Sequence, residues 1–108
     1  MDAENDGLTL HVEQDGQGPV LHVKGEIDLV TAPQLRASLL ELAGNVVVDL
    51  TDVAFLDSTG IGVLVVARNR FMVDGGGLTL RRPNDVITRT LEIVGIGEWI
   101  EGHRDGDA

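Results

Sequence analysis

Leu8-Thr-Leu-His-Val12 alternates apolar and polar side chains with a period of two, and Val20-Leu-His-Val-Lys-Gly25 follows with apolar and β-branched residues after Asp15-Gly-Gln-Gly-Pro19. Successive strand side chains point to opposite faces, so this pattern predicts a β-hairpin with a glycine-rich turn. The period then lengthens. Leu35, Leu39 and Leu42 recur at helical spacing, with Arg36 and Glu41 facing out, which predicts a short amphipathic helix. Thr31-Ala-Pro-Gln34 has capping-box spacing at its start, Pro33 lies in the first turn, Val30 and Leu35 are placed as a hydrophobic staple, and Gly44 offers a left-handed stop.

Asn45-Val-Val-Val-Asp-Leu50 lacks alternation, as expected of a central strand covered on both faces. A loop is expected over Thr51 to Leu56. Ile61-Gly-Val-Leu-Val-Val-Ala67 is rich in β-branched residues, but the pattern runs on through Arg68, Phe71, Met72 and Val73 to Asp74-Gly-Gly-Gly77, too long for a typical strand, so a helix with buried first turns is predicted. Leu78-Thr-Leu80 reads as a short strand. Asn84 caps a third helix with the stripe Ile87, Leu91 and Val94, ended by Gly95, and Glu98-Trp-Ile100 reads as a last strand or turn. The order β-β-α-β-α-β-α predicts an α/β fold, a mixed sheet of four to five strands with helices packed on it. Residues 1–7 read as a flexible acidic N-terminus, 8–101 as the domain and 102–108 as a disordered acidic tail.

Composition narrows the function classes. A chain of 108 residues is one domain. Its net charge is −10, with Lys24 the only lysine, so nucleic-acid backbones and anionic membrane surfaces repel it and basic protein surfaces are the expected partners. Only Phe55, Phe71 and Trp99 are aromatic, which leaves little for stacking on bases. The absence of cysteine removes disulfides, thiolate metal sites and cysteine nucleophiles, and fits a reducing compartment. The acidic start lacks the pattern of a secretory signal, and no apolar run approaches the ~20 residues of a spanning helix. A soluble cytoplasmic protein is expected. His11 and His22 fall on paired strands and suggest a metal, but no third ligand sits at metal spacing, so exposed strand histidines are the favoured reading and no cofactor is expected.

Phe55-Leu-Asp-Ser-Thr-Gly-Ile-Gly-Val-Leu-Val65 places Asp57, Ser58, Thr59 and Gly60 at a strand-to-helix junction. Helix capping alone can account for these residue types. A phosphate-cradling loop needs a longer glycine run and a lysine. An aspartic-protease loop needs its glycine one position earlier. A serine nucleophile needs a base, and none of His11, His22 and His103 has a sequence-level claim to reach Ser58. A further reading is a serine that is itself the substrate: phosphate at an exposed helix start adds about −1.5 to −2 charges where the helix dipole tolerates an anion.

Gly25-Glu-Ile-Asp28 with Thr31-Ala32, then Val48-Asp-Leu50 and Phe55-Leu-Asp-Ser-Thr-Gly-Ile-Gly62, resemble the STAS domain of bacterial anti-sigma factor antagonists. Gly76-Gly-Leu-Thr-Leu80 and Leu91-Glu-Ile-Val-Gly95 are similar to that family's fourth strand and third helix, so the resemblance runs from about Leu8 to Ile100. It departs at Val94, where many relatives carry Thr, and in the tail. The resemblance implies a partner switch rather than an enzyme: an anti-sigma factor that is also an ATP-dependent serine kinase phosphorylates Ser58, the unphosphorylated form binds that partner and frees the sigma factor, and a serine phosphatase resets it. It also implies that Asp28 lies beside Ser58, that Asp57, Thr59 and Gly60 join the contact surface, and that Gly62 permits close packing at the helix start. Gly25 and Thr31 are structural in this reading. Glu26, Asp28 and Asp57 make the face acidic, and Arg81, Arg82 and Arg89 read as solvated surface charges. The alternative is a non-phosphorylated STAS scaffold or nucleotide-binding module.

Overall fold

A computed structural model of the chain describes residues 2–5 and 7–103. The strands are β1 (Asp2–Asn5), β2 (Leu8–Asp15), β3 (Gly18–Ile27), β4 (Asn45–Leu56) and β5 (Gly77–Arg81); the helices are α1 (Ala32–Leu40), α2 (Ser58–Val73) and α3 (Asp85–Ile93), followed by a 3-10 turn at Gly97–Trp99. The strands form one mixed sheet in the order β1-β2-β3-β4-β5. β1, β2 and β3 pair antiparallel, whereas β3-β4 and β4-β5 are parallel and are joined through α1 and α2.

Register decides which side chains share a face. Leu21 lies opposite Val12 on β2 and Val48 on β4, and Val48 lies opposite Leu80 on β5. With Leu8, Leu10, Val23, Val46, Leu50 and Leu78 they join one core with Leu35 and Leu39 of α1, Leu64, Ala67 and Phe71 of α2, and Ile87 and Leu91 of α3. The three helices therefore share one face of the sheet. The opposite face carries a polar row, His11-His22-Asp49-Arg81, read directly across four strands.

Several elements depart from what the sequence pattern predicts. β4 is interior but β3 is the middle strand, and only one face of β4 is covered by helices: Val47 is half-buried on the other, beside buried Asp49. β4 also continues through the expected loop, because irregularities in its pairing with β3 break the alternation, leaving Val53 and Leu56 buried three residues apart. The capping box does not form: Thr31 is itself in the helical region, its side chain bonds elsewhere, and Gln34 Oε1 is buried without a partner among the described residues. Val30 is 80% exposed and makes no staple with buried Leu35. α1 ends at Leu40, and Gly44 instead serves the turn into β4. Val94 lies exposed at the end of α3, outside its buried stripe.

The two ends also differ from expectation. Within residues 1–7, Asp2–Asn5 pair with β2, since backbone pairing to a sheet edge needs no apolar side chains. Trp99 lies in the 3-10 turn, and Ile100 makes one parallel bridge to Leu80. Of the expected tail, Gly102 and His103 are described, with His103 Nε2 3.0 Å from Glu92 Oε2; residues 104–108 lie outside the described residues.

Candidate functional site at the ends of the parallel strands

Parallel pairing delivers the C-terminal ends of β3 and β4 to the same end of the molecule. Glu26 is opposite Phe55 and Ile27 opposite Leu56, and the Asp57 N–H then donates to the Ile27 carbonyl at 3.1 Å. Asp57 keeps extended backbone geometry (φ −104°, ψ −175°) and caps α2: its Oδ1 accepts the Gly60 N–H at 3.1 Å, and its carbonyl accepts the Ile61 N–H at 3.0 Å. Ser58 is the first residue of the helix and is exposed; Thr59 is half-buried. The hydroxyl of Ser58 makes no hydrogen bond to another described residue. The histidines are engaged elsewhere, with His22 at Glu13 and Asp49 and His103 at Glu92, and His11 stacks on His22 at a centroid separation of 5.9 Å.

Two glycines at this end have steric reasons. Gly60 is buried, and a Cβ there would press on Ile27 Cγ2 at 2.5 Å and Leu56 Cδ1 at 2.6 Å. Close packing at the helix start is thus the work of Gly60 rather than of Gly62, which is exposed with open space around its Cα. Gly60 is too buried to present a contact surface to a partner. Gly25 has φ +119°, and a Cβ would point into the carbonyl oxygen of Gly7, which accepts the Glu26 N–H at 2.9 Å.

The acidic loop after β3 is built, not loose. Asp28 Oδ1 accepts from the N–H groups of Val30 (2.9 Å) and Thr31 (3.0 Å) and lies 3.2 Å from the Thr31 hydroxyl oxygen. Thr31 Oγ1 lies 2.7 Å from the Glu26 carbonyl oxygen, to which it can donate, and accepts the Asp28 N–H at 3.0 Å. Thr31 is 4% exposed, so its hydroxyl ties the strand end to the start of α1 inside the fold. Glu26 is exposed and Asp28 and Asp57 are half-buried, all three at the end of the sheet that leads into α1 and α2.

Pattern reading missed Asp49. Asp49 is buried, and its carboxylate accepts the Thr51 hydroxyl at 2.6 Å and the Thr51 N–H at 2.9 Å, with His22 Nδ1 at 3.3 Å. Burial pushes its pKa up, but the Thr51 hydrogen bonds and the nearby His22 and Arg81 outweigh that and hold it below the usual carboxylate value. Arg81 is itself bonded to Glu101 at 3.3 Å. Among the described residues no three His, Cys, Asp or Glu side chains are grouped to hold a metal ion. No helix among the described residues is long and apolar enough to cross a membrane.

A mixed sheet with helices on one face and a capped, serine-bearing helix start at the ends of its parallel strands is the architecture of a STAS domain. Residues 10–101 match the family described as Mlab, STAS domain, and the chain belongs to the STAS-domain family. It is similar to the anti-sigma-B factor antagonist of Bacillus subtilis (strain 168), 32% identical over 97 residues that cover 87% of this chain and 89% of that protein. An anti-sigma factor antagonist from Mycobacterium paratuberculosis matches its structure with a TM-score of 0.76 at 27% identity, covering 91% of this chain and 86% of the other. The anti-sigma factor antagonist SpoIIAA shares the fold in its unphosphorylated form (TM-score 0.75, 19% identity, 89% of each chain). Its phosphorylated form does so too (TM-score 0.68, 19% identity, 89% of this chain and 92% of the other).

Proposed function

We propose that this chain is an anti-sigma factor antagonist of the cytoplasm, a regulatory binding protein whose Ser58 hydroxyl is the switch. The unphosphorylated form binds an anti-sigma factor and frees its sigma factor; an ATP-dependent serine kinase activity of that anti-sigma factor phosphorylates Ser58 and ends the binding; a serine phosphatase resets it. The observation that carries this reading is the division of labour at the start of α2. Asp57 supplies the side-chain cap, so the exposed Ser58 hydroxyl is surplus to capping and open to modification. The curated relative in Bacillus subtilis, named an anti-sigma-B factor antagonist, supports the partner class.

The experiment mixes the protein with each ATPase-type anti-sigma factor of its host and ATP, followed by intact and peptide mass spectrometry. One phosphate is expected, on Ser58 rather than Thr59. Modification that survives Ser58→Ala would refute the assignment.

A further inference from the structure

We infer that Leu29, Val30 and Phe55 form an apolar anchor by which the anti-sigma factor grips this chain, with the acidic groups around Ser58 steering the encounter. The inference rests on the proposed partner and specifies how the two surfaces hold. Leu29 is 73% exposed, Val30 80% and Phe55 49%. Scattered exposed apolar residues are ordinary on a protein surface. These belong to the end of β4 and the loop after β3, which the structure brings to the end of the sheet that also carries Ser58.

Backbone connections keep all three close in space to the start of α2. The Asp57 N–H is bonded to the Ile27 carbonyl, and Leu29 lies two residues past Ile27, hence no more than about 8 Å from it along the chain. Phe55 precedes Asp57 by two residues. A standard interface buries about 800 Å² on each partner, a disc of roughly 16 Å radius. An interface of that size centred on the first residue of α2 extends over this loop and strand end as well.

The anchor is also preorganised. Asp28 Oδ1 holds the N–H groups of Val30 and Thr31, and the Thr31 hydroxyl bonds the Glu26 carbonyl and the Asp28 N–H. Leu29 and Val30 are thus displayed from a fixed turn, and little ordering entropy is lost when a partner covers them. The fold does not need them exposed or buried, since Ile27 and Leu56 already fill the core below. Glu26, opposite Phe55 in the sheet, and Asp28 and Asp57 give the patch an acidic border. Its complement is an apolar pocket edged by lysine or arginine, with charge acting on association and the apolar contact on dissociation.

The test measures binding kinetics with the anti-sigma factor that modifies the wild-type chain, comparing wild type, Leu29→Asn/Val30→Asn and Phe55→Ser. Because Leu29 and Val30 are exposed, the double variant should melt as wild type does. It is expected to dissociate at least about tenfold faster while its association rate and salt dependence stay unchanged. Phe55→Ser should shift dissociation in the same direction. If no anti-sigma factor binds or modifies the wild type, the parent reading fails. If the wild type binds and the double variant leaves at the wild-type rate, the anchor is overturned. Sedimentation supplies the remaining outcome: a wild-type dimer that the double variant abolishes, with anti-sigma binding unaltered, would assign the patch to self-association and also overturn the inference.

Discussion

Two helices start at the same end of this molecule, and the chain treats them in opposite ways. α2 begins with an extended Asp57 whose carboxylate caps Gly60, leaving Ser58 exposed. α1 begins with Thr31 already in helical geometry and 4% exposed, its hydroxyl engaged by the Glu26 carbonyl and by Asp28. Each helix start pairs an aspartate with a hydroxyl residue. At α1 the hydroxyl is internal and holds a loop together; at α2 the carboxylate does the structural work and the hydroxyl is left outside. Similar side-chain chemistry divides into scaffold and switch according to which group the backbone turns inward.

The largest expected effect is on binding and falls on the start of α2. Ser58→Asp puts a carboxylate where the proposed phosphate sits, and a loss of about 3 kcal/mol at the interface weakens affinity by more than a hundredfold. Melting temperature should stay within about 2 °C of wild type, since the site is a tolerant helix start. A calorimetric titration and a thermal melt check both halves; loss of binding through unfolding would erase the distinction between the two helix starts.

At the start of α1 the effect should be on stability instead. Thr31→Val removes a buried hydroxyl that satisfies the Glu26 carbonyl and the Asp28 N–H, and should cost about 1–3 kcal/mol in denaturant unfolding. Asp57→Ala removes the α2 cap and should cost about 1 kcal/mol, read as faster hydrogen exchange confined to the first turn of that helix. If Thr31→Val unfolds at the wild-type denaturant concentration, the buried hydroxyl is not what holds the loop at the start of α1.

The smallest effect concerns the helix-free face. Asp49 has its folded-state pKa below the ordinary 3.8. Its ionised form is therefore favoured by folding: the contribution is fully present above the unfolded value and is lost as pH falls through the lowered folded value. Wild type should lose stability on acidification below about pH 4, and Asp49→Asn should flatten that part of the curve. An unchanged acid limb in the variant would mean that the Thr51 bonds do not favour the carboxylate.

Much of this architecture was legible in the chain. Alternation in Leu8 to Val12 marked β2, the stripe Leu35-Leu39 marked α1, and Asp57 and Asn84 marked helix starts whose side-chain caps form as their chemistry suggests. The failures have separate physical causes. Val53 and Leu56 lost period two because β3 and β4 pair with irregularities, and Thr31 left its capping box because the preceding loop, through the Glu26 carbonyl and Asp28, took its hydroxyl. Gly62 was credited with the packing that belongs to Gly60, since the sequence contains both glycines but does not tell what stands above each Cα.

What the sequence determined by itself was everything set by near neighbours along the chain: the hairpin, the helix stripes, the carboxylate-hydroxyl pair at Asp57-Ser58 and the strongly acidic charge. Tertiary structure alone decided which face of the sheet the helices cover, that Asp49 is buried with Thr51 and His22, and that Leu29, Val30 and Phe55 stand exposed at the end of the sheet that bears Ser58. The physical reason is that a side chain's burial and partners depend on parallel pairing between segments twenty or more residues apart, and local periodicity carries no record of that register.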